Sequence, residues 1–159
     1  MRWTVMDSPI GAFSVATGAG SVCGTRFGPV ENATTEPTGE VARQAVAELR
    51  AYFAGELTDF GVPVTVPGGS EFERAVWREM TRIPYGETLT YGEVARRLGD
   101  PGAARAVGAA CNRNPIPVIV PCHRIIGAGG KLVGFGGGLP RKIKLLELEA
   151  AVALPLTWS

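Results

Sequence analysis

Residues 121–124, Pro-Cys-His-Arg, place a thiol beside the only imidazole in the chain, directly after an apolar run at 116–120. Cysteine attacks as a thiolate, and a nearby histidine or guanidinium lowers the pKa of the thiol. Cys122, followed by His123 and Arg124, is therefore a candidate nucleophile. Neighbouring side chains of an extended strand point to opposite faces, so the pair can act together only if the backbone turns or a water bridges them. Taken alone, Cys122 would more often be a buried structural cysteine.

The first part of the chain predicts a small α/β domain. Strand-like pieces at 4–6, 13–15 and 22–25, with turn residues at 7–11, indicate an antiparallel sheet. Apolar residues recur at helical spacing from Val41 to Phe53, and Gly55 stands where that helix would end. An extended segment at 62–66 precedes Pro67-Gly68-Gly69, the clearest linker in the sequence. The predicted boundaries are 1–66 for this domain, 67–70 for the linker, 71–152 for a second domain and 153–159 for a tail.

The second domain is predicted to be mostly helical. Two helices are expected to begin with capping boxes, in which a hydroxyl and a carboxylate three residues apart satisfy each other's backbone donors. The two pairs are Ser70 with Glu73 and Thr90 with Glu93. Asp100-Pro101 predicts the start of a third helix from about Gly102 to Asn112. The last two helices, joined by a tight connection, fit a helix-turn-helix unit.

The predicted third helix is built mainly from glycine and alanine, and Arg105 is its one long charged side chain. So slim a helix can approach DNA closely, although small residues equally allow tight packing against neighbouring helices. The distribution of charge is compatible with both interpretations. Residues 91–144 contain nine basic and two acidic side chains, whereas the whole chain has a net charge of +1. A basic segment of this kind attracts polyanions, although solvated basic surfaces without that role are also common.

Composition narrows the class of protein. The chain has 159 residues, of which 45% are apolar and 19% charged, as expected for a soluble globular protein. No signal peptide or membrane span is evident, and we predict a cytoplasmic location. Three unpatterned cysteines argue against a disulfide framework. With no Cys-x-x-Cys pair and one histidine, no metal site is predicted.

These motifs together resemble the O6-alkylguanine-DNA alkyltransferases. The resemblance rests on the order and spacing of four pieces and runs without gaps from about Phe72 to Glu149. The pieces are Ala-Ala-Arg-Ala-Val-Gly at 103–108, Asn-Pro-Ile-Pro at 114–117, Pro-Cys-His-Arg at 121–124 and Gly-Gly-Gly-Leu at 136–139. It implies an RNase H-like amino-terminal α/β domain and a mostly α carboxyl-terminal domain with a winged helix-turn-helix. No cofactor is expected.

The resemblance implies irreversible transfer of an alkyl group from O6-alkylguanine in duplex DNA, and also from O4-alkylthymine, to Cys122, once per molecule. The damaged base must leave the stack to be attacked. His123 would accept the thiol proton through a water, and Glu149 would orient the imidazole. The carboxyl-terminal helix would then fold back over the site. A monomer in solution is expected, with cooperative assembly along DNA left open.

The remaining implied roles concern the base and the DNA. Tyr91 would donate to the base and help rotate its phosphate, while Arg105 would fill the space left by the flipped nucleotide. Asn114 would tie the recognition helix to the active-site turn. Further DNA contacts are assigned to Ala104 and Arg124. The substrate pocket is assigned to Ile125, whose carbonyl would accept from the guanine amine, and to Lys142, Phe135 and Gly136.

Two positions depart from the family pattern. Phe135 stands where many relatives have tyrosine, and Gly136 replaces a serine, so we expect an altered rate or alkyl preference. Two other functions stay in view. A lesion-binding, alkyltransferase-like protein would lack the reactive cysteine, which Cys122 argues against. A cysteine hydrolase or redox enzyme would leave the basic segment unexplained.

Overall fold

The computed structural model describes residues 1–132 and 137–158, with side chains described as far as residue 153. The predictions for Phe135 and Gly136 lie outside these residues. The chain divides into two compact units. The amino-terminal unit comprises Met1–Pro67 and Pro115–Pro117, and the carboxyl-terminal unit comprises Gly68–Asn114 and Val118–Ser159. Within the described part of the chain, no helix combines the length and apolarity that crossing a membrane requires.

The amino-terminal unit contains the predicted antiparallel sheet and helix. Its strands are β1 (Arg2–Met6), β2 (Phe13–Gly18) and β3 (Ser21–Phe27), in that spatial order, followed by α1 (Glu40–Phe53). The segment predicted to be extended before the linker contributes a single parallel bridge, between Val64 and Val22 of β3. The fold class expected for this part of the chain is confirmed.

One face of α1 packs against β2 and β3 to form the core of this unit. Its apolar residues at helical spacing, including Leu49 and Tyr52, are fully buried. Phe13 of β2 stacks edge-on against Phe53, with ring centroids 6.0 Å apart. Gly55, at φ 77°, ends the helix as predicted, because the left-handed conformation suits a residue without a side chain.

The carboxyl-terminal unit is mostly helical. It contains α2 (Glu71–Thr81), β4 (Leu89–Thr90), α3 (Tyr91–Arg97), α4 (Ala104–Asn112), a 3-10 turn (Cys122–Arg124), β5 (Ile125–Ile126), a second 3-10 turn (Ala128–Gly130) and α5 (Leu139–Trp158). Both predicted capping boxes are confirmed, with the side-chain and the backbone hydrogen bond present in each. The residues predicted as a tail continue α5 as far as Trp158.

The predicted start of the third helix of this unit is wrong by two residues. Asp100 does not cap α4, which begins at Ala104 without a side-chain cap. Instead, the backbone N–H of Asp100 donates to the Ala95 carbonyl and ends α3, with Gly99 at φ 79°. The Asp100 carbonyl then accepts from Ala103 in a tight turn. The sequence pattern assigned Asp100 to the start of α4, but its backbone ends α3 instead.

Candidate active site

Cys122 opens a 3-10 turn, so the backbone bends at the point where the thiol and imidazole adjoin. A turn of the backbone was one of the two conditions under which Cys122 and His123 could act together. The strand after the turn, β5, pairs in parallel with β4, and Ile125 lies opposite Leu89. Because α3 begins directly after β4, this small sheet ties Tyr91 to the segment that carries Cys122.

The Cys122 thiol is buried and protonated at neutral pH. Burial raises its pKa to about 11, although a hydrogen bond from the Asn114 side chain and the charge of Lys142 act in the opposite direction. The expectation that the surroundings lower the pKa of this thiol is therefore wrong for the free protein. Only 7% of the residue is exposed, and desolvation outweighs the neighbouring charges. A base must take the proton before or during attack.

His123 is placed to be that base. It is fully buried, and burial lowers its pKa despite the neighbouring Glu149, so the ring is neutral at neutral pH. Its Nε2 lies 2.7 Å from Oε2 of Glu149, whereas Nδ1 is buried and has no hydrogen-bond partner among the described residues. The hydrogen-bond network assigns the ring proton to Nε2, which donates to the carboxylate. Nδ1 is then the free acceptor.

Arg124 holds the other side of the Glu149 carboxylate. Its Nε and Nη2 donate to Oε1 and Oε2 at 2.8 and 3.0 Å, and Nη1 donates to the Ile83 carbonyl at 2.7 Å. The guanidinium also lies 5.5 Å from the centroid of the Tyr85 ring. With 7% of the residue exposed, Arg124 is not available to a phosphate, and its assignment as a DNA contact is corrected. A bidentate pair with a buried carboxylate occupies its donors instead.

Residues 83–86 also belong to this site, although none of them was among the site residues predicted from the sequence. Besides the Ile83 carbonyl and the Tyr85 ring, the backbone N–H of Gly86 donates to Glu149 Oε1 at 3.2 Å. Gly86 has φ 79°, and a Cβ there would lie 2.9 Å from the Cβ of Ala153. The available sequence signal for this contact was Gly86 itself, because glycine suits a left-handed turn that lies close to another part of the chain.

Lys142 and Ile125, both assigned to the substrate pocket, are brought together. Lys142 is fully buried, and its Nζ donates to the Ile125 carbonyl at 2.6 Å. Burial lowers the pKa of the lysine. The carbonyl expected to accept from the guanine amine therefore already accepts one hydrogen bond. Asn114 donates from Nδ2 to the Val120 carbonyl at 2.8 Å, joining the end of α4 to the segment before Cys122.

A cleft of about 780 Å³ runs beside α3 and α4. Its lining includes Tyr91, Ala104, Arg105 and Gly108, and its size is within the range of about 300–1,000 Å³ typical of ligand sites. Arg105 is exposed, whereas Tyr91 is half-buried. Burial raises the pKa of Tyr91, so its phenol remains a donor. Cys122 is not among the residues that line this cleft.

Two family models match the chain. The one described as 6-O-methylguanine DNA methyltransferase, DNA binding domain, matches residues 71–151, and the one described as the ribonuclease-like domain of the same methyltransferase matches residues 1–66. Among curated proteins, the methylated-DNA--protein-cysteine methyltransferase of Mycobacterium leprae is 54% identical over 152 residues, covering 91% of this chain and 89% of its own. The enzyme of that name from Methanosarcina acetivorans is 46% identical, covering 95% and 99%.

Solved structures agree with these matches. The crystal structure of Mycobacterium tuberculosis O6-methylguanine methyltransferase has a TM-score of 0.84 and 46% identity, covering 98% of both chains. A crystal structure of Mycobacterium tuberculosis OGT in complex with DNA also has a TM-score of 0.84, with 45% identity, covering 96% of this chain and 94% of that one. The resemblance inferred from the motifs is confirmed. The chain belongs to the 6-O-methylguanine DNA methyltransferase family, the O6-alkylguanine-DNA alkyltransferases.

Proposed function

We propose that this protein repairs DNA by transferring an alkyl group from O6-alkylguanine to Sγ of Cys122, once per molecule. The observation that carries the proposal is the buried array of Cys122, His123, Glu149 and Arg124. In it a protonated thiol adjoins a neutral imidazole whose Nδ1 has no partner within the part of the chain that the structure describes. Relatives that are 46–54% identical over most of this chain are named methylated-DNA--protein-cysteine methyltransferases, which supports the same reaction here.

The reaction exchanges one bond for another without a cofactor. The bond from sulfur to the alkyl carbon forms, and the bond from that carbon to O6 of guanine breaks. The thiol proton passes through a water to Nδ1 of His123, while the departing guanine takes a proton from the Tyr91 hydroxyl. The His123 imidazolium then returns its proton through solvent to the Tyr91 phenolate, so the net result moves one hydrogen from sulfur to guanine. A low-dielectric site favours this coupling, because neither a free thiolate nor a guanine anion has to persist.

Glu149 and Arg124 act on the imidazole rather than on the substrate. Glu149 accepts from Nε2 and so keeps Nδ1 free for the incoming proton. When His123 becomes an imidazolium, the Glu149 carboxylate stabilises its positive charge. Arg124 pairs with the same carboxylate, so Glu149 is not an unpaired buried charge while His123 is neutral. Asn114 connects the Val120 carbonyl and the thiol, which restrains the sulfur before attack.

DNA binding is proposed for the surface formed by α3 and α4. Arg105 is exposed on α4 beside the cleft and would occupy the space of the extruded nucleotide. Ala104 and Gly108 have little or no side chain, which allows the DNA backbone to approach the helix. The structure of Mycobacterium tuberculosis OGT in complex with DNA supports DNA as the partner. A monomer in solution is part of this proposal, which leaves assembly along DNA open.

A cytoplasmic location is proposed on chemical grounds. All three cysteines are free thiols, and the function depends on Cys122 remaining reduced. Reducing compartments maintain such thiols, whereas secreted proteins usually form disulfides. The lesion-binding alternative is disfavoured because the cysteine that it would lack is present and belongs to a complete array. The hydrolase and redox alternatives do not explain the basic segment 91–144.

The decisive experiment is incubation with a duplex that contains a single O6-methylguanine, followed by intact mass measurement and peptide mapping. The proposal expects one added methyl group per molecule, located on Cys122, and restored guanine in the DNA. Cys122→Ser should bind the duplex without gaining mass. Cys111→Ser is the matched control, because Cys111 is also buried but its pKa is raised to about 12. Binding by the unsubstituted protein without any mass change would establish the lesion-binding alternative instead.

A further inference from the structure

Residues Pro115–Pro117 belong to the amino-terminal unit, although Asn114 before them and Val118 after them belong to the other unit. Thr25 of β3 holds this segment twice. Its backbone N–H donates to the Pro115 carbonyl at 3.1 Å, and its Oγ1 donates to the Pro117 carbonyl at 2.7 Å. Thr25 is 6% exposed and Ile116 is fully buried, so both hydrogen bonds are shielded from competing water.

The segment held by Thr25 is stiff. Each proline ring fixes its own φ near about −65°. A proline also keeps the residue before it out of the helical region, which restricts Asn114 and Ile116. Because so few torsions are free, fixing the carbonyls of Pro115 and Pro117 fixes the path of the whole segment. The orientation of the Pro117 carbonyl, which directly precedes Val118, is therefore fixed.

Val118, the residue after this segment, has a strained backbone conformation. It has φ 74°, although it is β-branched, and it is 1% exposed. A left-handed β-branched residue is strained and persists only where its surroundings hold it. Thr25 restrains the carbonyl before Val118. After it, the Val120 carbonyl accepts from Asn114 Nδ2 at 2.8 Å and from the Cys122 backbone N–H at 2.9 Å.

We propose that Thr25 is a positioning residue for the nucleophile, and hence that the amino-terminal unit helps to set the rate of alkyl transfer. The proposal rests on the function proposed above. Without the hydroxyl of Thr25, the Pro117 carbonyl is released and Val118 can relax toward negative φ. The Val120 carbonyl moves with it, and so does the Cys122 backbone bonded to that carbonyl. In-line attack tolerates little displacement, since a 1 Å error costs about 100-fold in rate.

The test replaces Thr25 with valine, which keeps the shape and the backbone hydrogen bond but removes the hydroxyl donor. The substrate is free O6-benzylguanine, whose transfer does not require DNA contacts. Because each molecule reacts once, the amplitude reports the fraction of competent protein and the rate constant reports the geometry of the site. We expect Thr25→Val to lower the rate constant about tenfold or more at an amplitude close to that of the wild type. Thr25→Ser should restore the rate.

Ser14→Ala is the matched control. Ser14 is also fully buried in the same sheet, and its hydroxyl donates to the Gly28 carbonyl at 2.8 Å, away from the proline segment. This variant should lower the melting temperature without changing the rate constant. A Thr25→Val variant with a reduced amplitude or melting temperature but a wild-type rate constant would overturn the proposal. Failure of the wild type to transfer would instead overturn the proposed function.

Discussion

Replacement of His123 by glutamine tests the proton path, because the structure sets the size of the effect. With a Cys122 pKa of about 11, only about one thiol in 3,000 is ionised at pH 7.5, since each pH unit below the pKa lowers that fraction tenfold. If His123 removes the proton, its loss should slow transfer at pH 7.5 by a factor that approaches 3,000. General bases typically contribute about 10²–10⁴-fold.

The pH dependence separates loss of the base from loss of structure. The wild-type rate should be constant above about pH 7, because burial lowers the His123 pKa from its ordinary 6.5 and the ring is already neutral. The rate of His123→Gln should rise about tenfold per pH unit from 7 to 10, since it depends on spontaneous ionisation of Cys122. The glutamine amide can still donate to Glu149, so the array keeps its partners.

Single-turnover transfer from O6-benzylguanine, followed by intact mass across this pH range, provides the measurement. Cys111→Ala serves as the control, because it removes the other buried thiol and should leave the pH profile unchanged. A His123→Gln rate that matches the wild type at pH 7.5, or that does not depend on pH, would refute the assignment of His123 as the base. The amplitude separately reports the fraction of folded protein, so partial unfolding lowers the amplitude and leaves the rate constant as the test.

Three further outcomes are expected. Arg124→Met should lower the free energy of unfolding by about 3–5 kcal/mol, because it leaves the Glu149 carboxylate buried without its cation. Arg113→Met should cost much less, because its ion pair with Glu73 is exposed, and equal costs by chemical denaturation would contradict this. Arg105→Ala should slow transfer from duplex DNA about tenfold or more and leave transfer from free O6-benzylguanine unchanged, since base extrusion costs a few kcal/mol; equal slowing of both would argue against the finger role. The contribution of Cys122 to the free energy of unfolding should fall by about 3 kcal/mol between pH 9 and pH 11, because the unfolded thiol ionises near 9 and the folded one near 11. The measurement is the difference between wild type and Cys122→Ala, and a flat difference across this range would contradict the prediction.

The elements that depend on local chemistry were predictable from sequence. The capping boxes at Ser70 and Thr90 formed as predicted, because the interacting groups lie within one helical turn. The start of α4 was not predicted correctly, because Asp100 could either end α3 or begin α4, and its backbone N–H ends α3. Residues outside the described part of the structure, Phe135 and Gly136 among them, remain as predictions.

The motif around Cys122 identified the family and the reacting atom, since residue order and spacing are properties of the chain alone. The charge states of the site were decided by tertiary structure. Arg124 looked like a phosphate ligand in sequence, but α5 brings Glu149 against it and against His123. Burial then raises the pKa of the thiol that its neighbours in sequence were expected to lower. Solvation depends on what packs around a group from distant parts of the chain, and local sequence does not contain that information.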